Sequence, residues 1–142
     1  MKKLLLLFCI VGLNLSCSSG ESGNLLEDVE EKNVYRVIYT QEGDDEAFSQ
    51  SLTVSGGIKE HPNGYAFFSS DEEPLEKRID LESEATNEQL GVGYSAIKMG
   101  NDDVSLEVSI EIFINGEKVE SYETTLGGEN LVGGYNYVSP LD

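Results

Sequence analysis

Residues Val104 to Ile114 constrain the fold more than any other part of the chain. Val104, Leu106, Val108, Ile110, Ile112 and Ile114 are apolar at strict alternation, with Ser105, Glu107, Ser109, Glu111 and Phe113 between them. A period of two belongs to a β-strand with one buried and one wet face, because a helix places neighbours on one face three and four residues apart. Asn115-Gly116 follows at once, and since both residues tolerate positive φ the chain must turn back as a hairpin. Regular pairing after a two-residue loop would set Glu111 against Glu120 on the wet face, a like-charge pair. A bulge after Val119 relieves that contact and turns Tyr122 inward.

Similar runs precede and follow this hairpin. Val34 to Thr40 is apolar on both faces, as in a central strand, and an acidic loop covers Gln41 to Glu46. Phe48, Gln50, Leu52 and Val54 alternate with Ser49, Ser51, Thr53 and Ser55, and Gly56-Gly57 ends the run. Shorter runs lie at Gly64 to Phe68, at Lys77 to Leu81, and at Leu90, Val92, Tyr94 and Ala96, and a last one at Leu131 to Val138 carries two tyrosines on one face. Gly, Asn, Asp and Pro clusters separate them, and no segment has the length and period of a long helix. The pattern predicts an all-β fold, an immunoglobulin-like antiparallel sandwich of about seven or eight strands over residues 34–142.

The amino terminus predicts the compartment. Met1-Lys2-Lys3 is followed by an apolar run from Leu4 to Leu13, too short for a permanent bilayer span and typical of a signal peptide. Leu13-Asn14-Leu15-Ser16-Cys17 then sets a cysteine after a small residue, with Ser18-Ser19-Gly20 beyond it. This resembles the lipobox of bacterial lipoproteins, with Asn14 in place of the usual leucine three before the cysteine, as in looser Bacteroidetes-type lipoboxes. The resemblance implies cleavage after residue 16, diacylglycerol on the Cys17 thiol and an acylated new amino terminus. Residues 17–33 then read as the lipidated Cys17 and an acidic tether, with a helical turn available at Asn24 to Glu27. Cys9 leaves with the signal, so the exported domain has no disulfide and its stability rests on the core. Two or three acyl chains make a lasting anchor. The expected location is the bacterial cell envelope, lipid-anchored at the outer membrane.

Val34-Tyr35-Arg36-Val37, Phe48 to Val54, Ile79-Asp80-Leu81, Gly93-Tyr94-Ser95-Ala96 and Ile112-Phe113-Ile114-Asn115-Gly116-Glu117-Lys118-Val119 together resemble the strand series of MmpS-type membrane-anchored β-sandwich proteins and of small Bacteroidetes lipoproteins. That resemblance spans about residues 34 to 126. Its Leu-Pro-Trp is replaced here by Glu73-Pro74-Leu75-Glu76, and its cysteine pair is missing. It implies an accessory protein of an envelope complex, such as an exporter, and carries over no catalytic residue.

Charge and composition narrow the chemistry. With 27 Asp and Glu against 9 Lys and Arg among 142 residues, and a formal charge of −18, the chain would be repelled by a phosphate backbone and is not a nucleic-acid binder. His61 is the sole histidine and only two cysteines exist, which removes Cys/His zinc sites and most nucleophile–base relays; no enzyme activity is expected. His61-Pro62-Asn63-Gly64 reads as a turn. Three acidic clusters fall in predicted loops, and Asp44, Asp45, Asp71, Asp102 and Asp103 are the candidate ligands for calcium, which takes six to eight oxygens. None lies in a D-x-[DN]-x-[DN]-G loop, so a site would have to be assembled from separate segments; solvated loops that keep an acidic protein soluble are the competing account. Tyr135 and Tyr137, with Tyr65 and Phe67-Phe68, are candidates for an aromatic patch, and Phe113 for a contact surface if it is exposed. The primary functional expectation is a non-catalytic, lipid-anchored accessory or binding protein with an envelope partner. The alternative is a calcium-dependent adhesion or carbohydrate-binding module, which requires Asp44, Asp71 and Asp102 to converge.

Overall fold

The computed structural model describes residues 31–101 and 103–140; the expected signal segment, Cys17, the helical turn at 24–27 and Asp102 lie outside them. Among the described residues eight strands form, β1 (Tyr35–Gly43), β2 (Phe48–Ser55), β3 (Tyr65–Ser69), β4 (Arg78–Glu82), β5 (Gly91–Lys98), β6 (Ser105–Ile114), β7 (Glu117–Gly127) and β8 (Val132–Val138). They make two antiparallel four-stranded sheets, β4-β1-β6-β7 and β3-β2-β5-β8. The all-β sandwich read from the alternation is the observed fold. β1 lies beside β4 and β2 beside β5, the placement of strands B, E and C, F in immunoglobulin sandwiches. The β6–β7 hairpin departs from that plan by adding two strands on the far side of β1 before the chain crosses to β8.

Alternation decides what lies between the sheets. Tyr35, Val37 and Tyr39 of β1, Leu106, Val108, Ile110 and Ile112 of β6, Phe48, Leu52 and Val54 of β2, and Val92, Tyr94 and Ala96 of β5 form one core with Leu90 and Leu126. Strand β1 runs three residues beyond the predicted Thr40, because the ten-residue β6 pairs with it as far as Gly43 opposite Leu106. Gln41, expected in a loop, is therefore a buried strand residue. Ile38 faces outward yet is buried, flanked by Asp80 of β4 and Glu111 of β6, which accounts for the two-sided apolar look of β1.

The hairpin carries the expected irregularity. Phe113 pairs with Lys118 and Ile112 with Glu120, so Val119 is the extra residue of a bulge. Glu111 consequently faces Ser121, its carboxylate accepts from Lys118 Nζ at 2.9 Å, and Tyr122 faces Ile110 against the core. Asn115 and Gly116 both take positive φ in the turn.

The two outer faces differ in kind. On the β4-β1-β6-β7 sheet, Arg36, Glu42, Arg78, Asp80, Glu107 and Glu123 point outward among others, while Glu42 and Glu107 oppose each other directly. Arg36 holds Asp80 with paired bonds of 2.8 and 2.7 Å, and this hydrogen bonding lowers the Asp80 carboxyl below its ordinary range. On the β3-β2-β5-β8 sheet every outward strand position is uncharged, a field of Ser, Thr and Gly with Ile97 at one end, bordered by Tyr65 and Phe67 on β3 and by Val132, Asn136 and Val138 on β8.

Candidate functional site

Strand directions gather the acidic loops. β1 ends beside the start of β6, and β2 starts beside the end of β5, so the segments at 44–47, 70–77 and 99–104 occupy one end of the sandwich. The opposite end holds the β6–β7 turn, where Val34 N–H donates to Asn115 Oδ1 at 2.9 Å. The chain thus enters the domain at the end away from the acidic loops. Four of the five sequence-read candidates, Asp44, Asp45, Asp71 and Asp103, fall at the acidic end, and Asp102 lies outside the described residues.

These loops are knitted to one another. Asp44 N–H donates to the Ser105 carbonyl at 2.8 Å, and Ser105 N–H donates back to Asp44 Oδ2 at 3.1 Å, so this carboxylate closes its own loop against the start of β6. Met99 N–H donates to the Ala47 carbonyl at 2.7 Å, tying the β5–β6 loop to the β1–β2 loop. Ser49 Oγ donates to Asp71 Oδ1 at 3.1 Å, and Gln50 N–H to Ser70 Oγ at 2.7 Å, which fastens the β3–β4 loop to β2. Between them lies a recess of about 100 Å3 lined by Asp45, Glu46, Ser49, Asp71 and Met99, among others. Carboxylate and hydroxyl oxygens are the donors a hard cation takes. Among the described residues, however, no three Asp, Glu, His or Cys side chains stand close enough to hold one metal ion.

Beneath this end lies a buried polar cluster. Gln50 Oε1 accepts from the hydroxyls of Tyr39 at 2.9 Å and Tyr94 at 3.1 Å, while Gln50 Nε2 donates to Gln41 Oε1 at 2.9 Å and Gln41 Nε2 to the Leu75 carbonyl at 2.7 Å. Burial pushes the Tyr39 and Tyr94 phenols well above their ordinary range. The cluster braces the β3–β4 loop through Leu75.

The aromatic candidates separate. Tyr135 and Tyr137 turn inward and pack half-buried against the core, Tyr135 stacked on Tyr122 with ring centroids 4.6 Å apart. Burial, with Glu120 and Tyr137 nearby, pushes the Tyr135 phenol up to about 12. Phe68 also faces inward, and His61 in its 3-10 turn sets its ring edge-on to it at 5.8 Å. Phe113 is half-buried opposite Arg36. The outward Phe113 is more covered, whereas Tyr65 and Phe67 stand outward and about half exposed. Strand parity separates them from Phe68, and only the pairing reveals that the β8 tyrosines share the inner face.

No family model and no curated protein matches this chain. Solved structures do. A DUF4425 family protein from Bacteroides ovatus is 13% identical with a TM-score of 0.57, over 76% of this chain and 94% of its own. A DUF4425 domain from Bacteroides vulgatus is 14% identical with a TM-score of 0.60, over 77% and 96%. The chain shares their fold. A third structure, the calcium-bound form of a protein from Parabacteroides distasonis, is 15% identical with a TM-score of 0.57, over 75% of this chain and 93% of its own.

Proposed function

We propose that this protein is a non-catalytic binding module, lipid-anchored at Cys17 in the bacterial envelope, whose acidic end takes calcium. The polarity of the sandwich carries this reading: the chain enters at one end and the acidic loops crown the other, so an anchored domain presents them away from the membrane. Calcium is favoured over a purely solubilising role because the loops are hydrogen-bonded to one another and because a similar structure is a calcium-bound form. Asp45, Asp71 and Asp103 are the side chains that would turn inward to the ion, with the Ser49 hydroxyl and loop carbonyls as further oxygen donors. The accessory role in an envelope complex is the second reading. It needs an exposed apolar patch; Phe113, half-buried opposite Arg36, does not supply one, whereas Tyr65, Phe67, Ile97, Val132 and Val138 on the other sheet are exposed.

Thermal unfolding of the full chain in detergent tests the metal. Calcium should raise the midpoint by mass action while magnesium at equal ionic strength does not. Equal midpoints with calcium and with chelator would remove calcium from the proposal. Separately, Cys17→Ala should release the protein from the membrane fraction, and retention of the variant would remove the anchor.

A further inference from the structure

We propose that the outer face of the β3-β2-β5-β8 sheet is a binding platform for a neutral polysaccharide chain. The charge distribution is the first argument. The molecule carries −18 overall and its other sheet face is densely charged, yet no outward strand position on this face bears a charge. Such a surface complements a neutral ligand.

Relief is the second argument. Apart from Ile97 at the end of β5, 54% exposed beside Val132, the two central strands present only small side chains, and the aromatic wall stands on the edge strand β3, where Tyr65 and Phe67 are 47% and 51% exposed. Two residues apart on one face of a strand, these rings lie roughly 7 Å from one another, and flat rings stack on the apolar faces of pyranose units. The middle of the floor, between β3 and β8, is polar. Ser51 and Ser95 hydroxyls pair across strands at 2.9 Å, and Thr53 Oγ1 donates to the Gly93 carbonyl at 3.1 Å. A Cβ on Gly93 would come within 2.6 Å of that Thr53 oxygen, so glycine is what lets the hydroxyl lie flat. The oxygens keep free lone pairs toward solvent, and Asn136 adds an amide on the far side.

Floor chemistry separates the possible occupants. Protein interfaces are depleted in serine, and a dry contact between two copies would bury several hydroxyls without adding apolar area at the centre. A sugar chain brings its own hydroxyls to this floor and its CH faces to the two rings. The platform is open along the strands, which suits a polymer rather than an enclosed small molecule.

The proposal rests on the binding-module reading, names the ligand class, and is independent of the anchor and of calcium. Affinity electrophoresis of the full chain in detergent-containing native gels tests it with embedded neutral polysaccharides (hydroxyethyl cellulose, a β-1,3-glucan, xylan, galactomannan) and with anionic polygalacturonate. Retardation by at least one neutral polymer and none by polygalacturonate is expected. The double variant Tyr65→Ala/Phe67→Ala should weaken that retardation by about tenfold or more, and Thr53→Val should weaken it with Tyr65 and Phe67 in place. Since both rings are half exposed, the unfolding midpoint should stay near that of the parent chain. Absence of retardation by every neutral polymer, equal retardation of the double variant, or a sedimenting dimer that the double variant dissolves would overturn the proposal. Calcium-dependent stability and membrane retention would survive any of those results, so the two readings fail separately.

Discussion

At the scale of single residues, the buried glutamines carry the most leverage. Gln50 accepts from two phenols and donates to Gln41, so Gln50→Leu would leave the buried Tyr94 hydroxyl without its acceptor and Gln41 Oε1 with the Tyr39 hydroxyl as its remaining donor. A cost of about 3 kcal/mol is expected, to be read from urea unfolding. Tyr135 presents the opposite case. Its hydroxyl is buried with no hydrogen-bond partner among the described residues, so Tyr135→Phe should be neutral or stabilise by up to about 1 kcal/mol in the same assay. The phenols also set an alkaline limit. Tyr39 and Tyr94 are raised by burial, and Tyr135 is raised to about 12, so the folded state keeps these protons while unfolded tyrosines lose theirs near pH ~10. Their contribution to stability is complete below that pH and is lost as pH climbs toward the folded values. Unfolding midpoints should therefore fall above about pH 10, and Tyr39→Phe should flatten the fall.

Among the elements, legibility followed parity. Wherever one face is buried and the other wet, the sequence alternates, which is why β2, β5 and β6 could be read residue by residue, Gln50 included. The irregular hairpin was also legible, because the unfavourable Glu111–Glu120 pair pointed to a bulge after Val119, with an inward Tyr122 as its consequence. Pairing between distant strands was not. Nothing local says that β1 extends to Gly43, since that depends on the length of β6, or that Tyr135 meets Tyr122 across the sheet edges. The same limit hid the candidate site: the acidic clusters were visible, but their gathering at one end follows from strand directions alone. Register yields a prediction of its own. Deleting Val119 removes only the bulge residue and leaves Ile112 opposite Glu120 and Ile110 opposite Tyr122, so stability should change by no more than about 1 kcal/mol. Deleting Thr124 forces either Tyr122 or the fully buried Leu126 onto the wet face, and several kcal/mol should be lost, about the cost of emptying a core leucine site. Urea unfolding of the two deletion variants separates these outcomes.

For the whole molecule, the governing fact is a surplus of negative charge that crowds one end of the sandwich. Mutual repulsion between loops at 44–47, 70–77 and 99–104 opposes their hydrogen bonds, and it weakens with ionic strength. Removing carboxylates there has two effects of opposite sign. In chelator, Asp45→Asn/Asp71→Asn relieves repulsion, and the midpoint should rise by about 1–3 °C, in line with small surface-charge terms. In calcium the same substitutions remove donors that would turn to the ion, so the increment that calcium gives the parent chain should shrink or vanish. Solubility alone predicts the first effect without the second, because asparagine screens no cation site. A double variant that is stabilised in chelator and keeps the full calcium increment would move the ion elsewhere on the molecule, to carboxylates such as Glu42 and Glu107 that oppose each other on the outer face of β1 and β6.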